Sequence, residues 1–400
     1  MALFELDEVG GLSAKIKVIG VGGGGGNAVN NMIRENLSGV DFIVANTDAQ
    51  VLEESLSEVR VQLGGEQTRG LGAGGKLEVG KESVEEVKER VRELLVDTDM
   101  LFITAGMGGG TGTGAAPVFA EIAREMGILS VAVVTKPFEF EGKRRMRLAE
   151  QGIDELRKSI DTLIVIPNDR LISSLGKTGF MNCFREADNV LYQAVKGISD
   201  LMINSGYINV DFNDVKTVMS EDASVATMMG VGRASGENRV EEAVAQATSS
   251  TLLEDLDMCG ARSLLINVTG GEGLSGLEVR EAVKMISDMA DEDATIIFGY
   301  VDDPEAGDEL SITVVATGLN DHQKVGALEE EVVVSSLEEI VSDSETEVTE
   351  TARLPKAKDY SKQWEAAKIK SKHVVSKGNA AVSYDDNELE IPTFLRRQNN

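Results

Sequence analysis

Gly106-Met107-Gly108-Gly109-Gly110-Thr111-Gly112-Thr113-Gly114 is the stretch on which the reading of this 400-residue chain turns. The apolar run Met100 to Thr104 precedes it, and a helical pattern from about Ala115 to Met126 follows. Glycine lets backbone N–H groups approach an anion with no Cβ in the way. The N-terminus of the next helix adds its positive dipole end. The alternating threonines bring hydroxyls to the same point. A flexible surface connector would not need so many glycines at the carboxyl end of a buried strand.

A second loop has the same setting. Ile19-Gly20-Val21-Gly22-Gly23-Gly24-Gly25-Gly26-Asn27-Ala28 follows the run Ile16 to Val21 and opens a helix carrying Val29, Met32 and Ile33. Gly20, Gly22 and Gly25 satisfy G-x-G-x-x-G, a pattern that is weak alone and also describes a tight turn packed on backbone. No Lys-Ser or Lys-Thr follows, so the loop is not of the Walker type and its phosphates would lack that lysine. A dinucleotide fold needs one such loop. Two predict a cradle around a triphosphate. Gly70-Leu71-Gly72-Ala73-Gly74-Gly75 is either a cover over the last phosphate or a mobile loop.

Outward from these loops the pattern alternates. Val40 to Ala45, Val59 to Leu63, Leu129 to Val134 and Thr162 to Ile166 read as strands. Helices are expected through Val84, Val87, Val91 and Leu94, and around Arg145 to Lys158. Such alternation builds a parallel sheet covered on both faces. The reading is α/β, with a Rossmann-like parallel-sheet domain over 14–186 and a leader over 1–13. Ala187, Leu191, Ala194, Ile198 and Leu201 share one face of a long central helix over 187–208. A second, smaller α+β domain over 209–319 has strands at Ser263 to Val268, Thr295 to Tyr300 and Ser311 to Ala316. Its helices lie near Val240 to Leu252 and Leu277 to Met289. Residues 320–384 run acidic and then basic with no apolar period, a disordered linker. Residues 385–400 again concentrate apolar anchors: Leu389, Ile391, Phe394 and Leu395.

Composition narrows the function. Net charge is −29 and 42% of residues are hydrophobic. Such a surface repels nucleic acid and anionic lipid, so neither is an expected partner. A nucleotide is also an anion, so backbone amides, a metal ion and a few local cations must hold its phosphates. No apolar run approaches the ~18 to 20 residues that span a bilayer. The start lacks the basic and apolar regions of a secretory signal. Cys183 and Cys259 read as reduced thiols, and His322 and His373 cannot supply a histidine-rich metal site.

GGGTGTG at Gly108 to Gly114 resembles the signature of the tubulin/FtsZ superfamily, and the resemblance runs from about Ala14 to Leu319. It takes in Val18 to Asn27, Ala45 to Gln50, Gly70 to Gly74, Lys136 to Phe138, Phe140 to Arg145 and Ile166 to Asp169. It implies a GTP/GDP-binding, GTP-hydrolysing protein that forms head-to-tail filaments of its own copies. It further implies a cytoplasmic ring at midcell during bacterial division, and Mg²⁺ on the GTP phosphates. Gly23, Gly24, Gly25, Gly26 and Asn27, with Gly110, Thr111 and Gly112, would contact phosphates. Glu141 would hold the ribose with Arg145 beside it, and Asn168 belongs to the same site. Phe184 would stack on guanine. Asp188, or its neighbour Asn189, would read the ring N–H and amino groups, which guanine presents together and adenine does not.

Asn209-Val210-Asp211-Phe212-Asn213-Asp214 is, by itself, a polar loop before a helix, with Asp211 or Asp214 as possible caps. The resemblance implies more: the loop enters the nucleotide site of the next subunit, where Asp211 and Asp214 orient the attacking water and Asn209 contacts the phosphate region. Asp222 to Thr227 departs from the family pattern, which is expected to alter the subunit contact and not the chemistry. The segment Asp386 to Gln398 resembles the family's C-terminal peptide, which implies partners among membrane tethers and division regulators. Two other classes fit parts of the chain. A nicotinamide-dependent oxidoreductase would use G-x-G-x-x-G and Asp48. A non-catalytic scaffold would bind nucleotide only.

Overall fold

The computed structural model describes residues 14–175, 179–203, 210–220, 226–248, 260–271, 273–304 and 306–319, all within one compact unit. The leader over 1–13, Asn209, Cys259, the linker and the 385–400 peptide lie outside the described residues.

Six strands form the parallel part of the sheet: Ile16–Val21 (β1), Val40–Asn46 (β2), Val59–Gln62 (β3), Met100–Gly106 (β4), Leu129–Lys136 (β5) and Thr162–Pro167 (β6). They lie in the order β3-β2-β1-β4-β5-β6. Side chains alternate between the faces, as a period of two requires. Val18, Val44, Phe102 and Val131 face one core with the helices Gly22–Arg34 (α1) and Phe180–Ile203 (α8). Ile19, Ile43, Ile103 and Ala132 face the other core. There they meet Leu77–Glu85 (α3), Lys88–Leu94 (α4), Gly110–Glu125 (α5) and Lys143–Arg157 (α6), while the short helix Ala49–Glu53 (α2) caps the end of β2. Because both faces are covered, these strands read as apolar runs rather than as clean alternation.

The sheet continues through Ala226–Ser235 (β7), Glu309–Leu319 (β10), Ser263–Gly270 (β8) and Thr295–Asp302 (β9). β10 is antiparallel to both β7 and β8. A third core lies between these strands and the helices Arg239–Thr248 (α10) and Gly276–Ser287 (α11). The remaining helices, Asn168–Leu175 (α7) and Phe212–Met219 (α9), flank α8. α8 belongs to both halves: Ala187, Leu191 and Ile198 share a core with Val131 of β5 and with Leu265 and Val315.

Three local departures from the sequence reading have physical causes. The helix through Val84 and Val91 is split, because Val87 leaves helical geometry at φ −118, ψ 14. The glycine runs are not turns ahead of their helices but the first turns of α1 and α5. β7 has a weak strand signal because it carries Gly230 and Gly232. A Cβ at either would collide with the α10 carbonyls of Ala247 and Ala243, so glycine is what lets that helix lie against the strand.

Candidate phosphate cradle and base pocket

β1 and β4 are neighbours whose following helices cover opposite faces of the sheet. That is a topological switch point, where the crevice beyond the strands' carboxyl ends receives a ligand. The two glycine helices start here and touch. A Cβ on Gly22, which sits at φ +73, would lie 2.9 Å from the Gly112 nitrogen. One on Gly24 would lie 3.1 Å from both the nitrogen and the Cα of Gly106. Neither helix has a side-chain cap or an acidic residue in its first turn, so among the described residues no capping side chain engages the first N–H groups of either helix. Two uncapped N-termini facing one space make a site for an anion of more than one charge.

The glycines divide by role. Gly25 is buried, and a Cβ there would overlap the Thr104 carbonyl. Gly23 is exposed and a Cβ there meets no protein atom within 4 Å. Gly25→Ala is therefore expected to lower the melting temperature by several degrees. Gly23→Leu should leave melting within ~1 °C but fill the crevice and abolish anion binding. Thermal melting with and without ligand checks both.

Other sequence-derived residues gather at the same edge. Thr47 Oγ1, fully buried at the end of β2, lies 2.6 Å from Thr111 Oγ1. Sequence reasoning passed over Thr47, although it lies inside the quoted Ala45 to Gln50 stretch. Gly108 donates its N–H to Thr113 Oγ1 at 2.7 Å. The third glycine loop is tied down: the N–H of Gly72 donates to Thr47 O at 3.2 Å, and that of Ala49 to Gly70 O at 3.1 Å. Gly110 packs on it, since a Cβ there would lie 2.9 Å from the Ala73 Cβ and from the Lys76 nitrogen. Asp48 is occupied as the cap of α2, accepting from the N–H groups of Gln50 and Val51. That cap engages one carboxylate oxygen, Oδ1, and gives Asp48 a structural role at the start of α2.

Glu141 ends a 3₁₀ turn after β5, accepts from the Phe138 N–H at 3.0 Å and pairs with Arg145. Asn168, at the carboxyl end of β6, is 5% exposed and its Oδ1 has no hydrogen-bond partner among the described residues. A buried acceptor of this kind can take a donor from a ligand or from an ordered water.

Phe184 and Asp188 lie one turn apart on α8 and share a face. Phe184 is part of an aromatic group with Phe138, Phe140 and Phe180, its ring 5.0 Å from that of Phe138. The half-exposed Phe140 and Phe180 leave this group open to a flat apolar ligand. Burial pushes the Asp188 carboxyl up to about 7, and the Arg34 charge on α1 opposes this only in part. Asn189 is engaged otherwise, with its Nδ2 donating to Glu186 Oε1 at 3.4 Å.

Asp211 and Asp214 stand elsewhere. Asp211 caps α9 by accepting from the Asn213 N–H at 2.7 Å, and both carboxylates are exposed. Val210 and Leu201 both pack at Gly299. The pair thus sits beside the far end of α8, about 25 Å along that helix from Phe184. There Ile203 lies against Gly39, ahead of β2, and Thr162 at the start of β6 donates to Met219 O. These contacts mark the amino edge of the sheet, one strand length, about 20 Å, from the cradle.

Among the described residues no helix is long and apolar enough to cross a membrane, and no group of three or more His, Cys, Asp or Glu residues is placed to hold a metal.

The profile of the Tubulin/FtsZ family, GTPase domain, matches residues 15–176, and that of the FtsZ family, C-terminal domain, matches residues 225–320. The chain is 55% identical over 326 residues to the cell division protein FtsZ of Coxiella burnetii, spanning 81% of this chain and 84% of that protein. It resembles the structure of an empty FtsZ dimer from M. jannaschii with a TM-score of 0.73 and 43% identity, over 76% of this chain and 88% of that one. CetZ2 from Haloferax volcanii, solved as a GTPγS-bound protofilament, shares the fold alone: TM-score 0.64, 19% identity, 83% and 100% coverage.

Proposed function

The chain belongs to the tubulin/FtsZ family of GTPases, and from that premise we propose that it binds GTP in the cradle and hydrolyses it only between stacked copies of itself. The observation that carries this reading is the opposition across the sheet. The cradle lies at the carboxyl edge and Asp211 and Asp214 at the amino edge, too far apart for one chain to bring its own together. A head-to-tail stack sets the amino edge of one copy on the carboxyl edge of the next.

In this reading residues 14–186 form the nucleotide domain, the span 187–208 that carries most of α8 connects it onward, and 209–319 form the domain that presents the catalytic loop. The first N–H groups of α1 and α5 hold phosphate oxygens, and the hydroxyl of Thr111 adds a donor. Glu141 accepts from the ribose, with Arg145 fixing its position. Asn168 Oδ1 finds the donor it lacks. Phe184 stacks on the base, and the Asp188 carboxylate accepts its ring N–H and amino hydrogens. Mg²⁺ would be carried mainly by the phosphates and water, where it would neutralise charge at the transferred phosphoryl. Asp211 and Asp214 of the next copy orient the attacking water, with Asn209 beside the phosphates.

By the same family reasoning the filaments are cytoplasmic and assemble at the division site. The Asp386 to Gln398 peptide docks membrane tethers and regulators, and no part of the chain inserts into the bilayer itself. Because the site is shared, phosphate released per molecule should rise with protein concentration, in step with light scattering. Concentration-independent specific activity would contradict the shared site.

A further inference from the structure

In the proposed reading the phosphates lie on backbone N–H groups, yet a −29 chain without a Walker lysine needs a cation near them. Arg145 is already paired with Glu141. The position of Lys76 suggests another source. Its backbone follows the third glycine loop and lies on the cradle: a Cβ at Gly110 would be 2.9 Å from the Lys76 nitrogen and 3.0 Å from the Gly75 nitrogen. Gly110 is the first residue of α5, where N–H groups face the crevice.

Lys76 is also in the wrong place for its own helix. It occupies the N-cap of α3 with φ −104, ψ 121 and gives no side-chain cap. An N-cap calls for an acceptor, and the helix dipole disfavours a cation there. Its ammonium is exposed and makes no ion pair or hydrogen bond among the described residues. A local rule broken without compensation inside the chain points to a ligand. The four-carbon stem of lysine spans about 6 Å, enough to reach an anion held at the Gly110 N–H.

The fold also says which phosphate this is. Asp188 and α1 lie on one face of the sheet, α5 and α3 on the other. A nucleotide whose base is on α8 therefore runs across the carboxyl edge, past α1 and then α5, and ends under the third glycine loop. Lys76 stands at that end.

We propose that the Lys76 ammonium binds the terminal phosphate of GTP and is a residue by which the chain tells GTP from GDP. This rests on the reading of the cradle as a GTP site. The test compares the full chain with Lys76→Met and Lys76→Arg. The affinity of each for GDP and for a GTP analogue with a methylene β–γ bridge is measured with Mg²⁺, at protein concentrations too low for assembly. Lys76→Met is expected to weaken the GTP analogue about tenfold and GDP less than about twofold. Lys76→Arg should keep most of the analogue's affinity. The nucleotide-free melting temperature of Lys76→Met should be unchanged or higher, since a cation has left the α3 N-terminus. Equal loss for both nucleotides, no loss for either, or a loss accompanied by lower melting and unrescued by arginine would each overturn the proposal. If the unaltered chain binds neither nucleotide, the cradle reading itself is overturned and the lysine proposal with it.

Discussion

Asp211→Ala combined with Asp214→Ala is expected to reduce GTP turnover by ~10²-fold or more while GTP affinity stays within about threefold of the unaltered chain. The two effects separate because the carboxylates lie at the amino edge of the sheet and touch none of the groups that form the cradle. On the proposed mechanism turnover falls because water is no longer oriented against the phosphoryl group, and a positioned water cannot be replaced by bulk water at comparable rate. One side effect is foreseeable. Asp211 caps α9, so its removal costs about 1 kcal/mol of local stability. Asp211→Asn retains a capping side chain and isolates the chemical effect. Phosphate release at fixed, high protein concentration measures turnover, and fluorescent-nucleotide displacement measures binding. Unchanged turnover in the double variant would remove both residues from the mechanism.

The second large effect concerns the base. Asp188→Asn should weaken GTP binding about 10²-fold. In the proposed reading the carboxylate accepts two donors from guanine, whereas an amide would offer one acceptor and oppose the other donor with its own N–H. The same change should raise the melting temperature of the nucleotide-free chain at pH 8. Burial lifts the Asp188 carboxyl from an ordinary value near 3.8 to about 7. A raised carboxyl favours the fold fully while protonated, below about pH 4, and that contribution is lost as the pH climbs through 7. The asparagine variant does not ionise and avoids the loss. The sign for binding is opposite. Guanine needs the ionised form, so affinity should rise from pH 6 to pH 8, with a proton released on binding, and the asparagine variant should lack this slope. A gain in stability paired with a loss in binding distinguishes a ligand-reading group from a structural one.

Much of this was legible in the chain itself. The two glycine runs, each between an apolar run and a helix, disclose the parallel sheet and the edge where the proposed ligand would sit. Gly25 and Gly112 are glycines because neighbouring backbone leaves no room, and that constraint is visible as sequence. Other features were hidden for physical reasons. β7 is masked by the glycines that admit α10. Thr47 matters only because Thr111, 64 residues away, comes within hydrogen-bond reach. Lys76 looks like any surface lysine until the fold lays its backbone on Gly110. The aspartates of the 210–214 loop read locally as helix caps, and Asp211 is one. No local pattern tells that they stand a full strand length from the phosphates. That separation is a property of the sheet, and on the proposed mechanism it leaves a single chain an incomplete enzyme.

The most direct test of that incompleteness mixes two inactive proteins. Gly23→Leu fills its own cradle but keeps Asp211 and Asp214. The double aspartate variant keeps its cradle but lacks the carboxylates. If the site is shared, each alone hydrolyses almost no GTP, and an equimolar mixture recovers a substantial part of the activity, because some junctions pair an intact cradle with an intact loop. A mixture no more active than the sum of its parts, under conditions where light scattering shows the two co-assembling, would contradict the account.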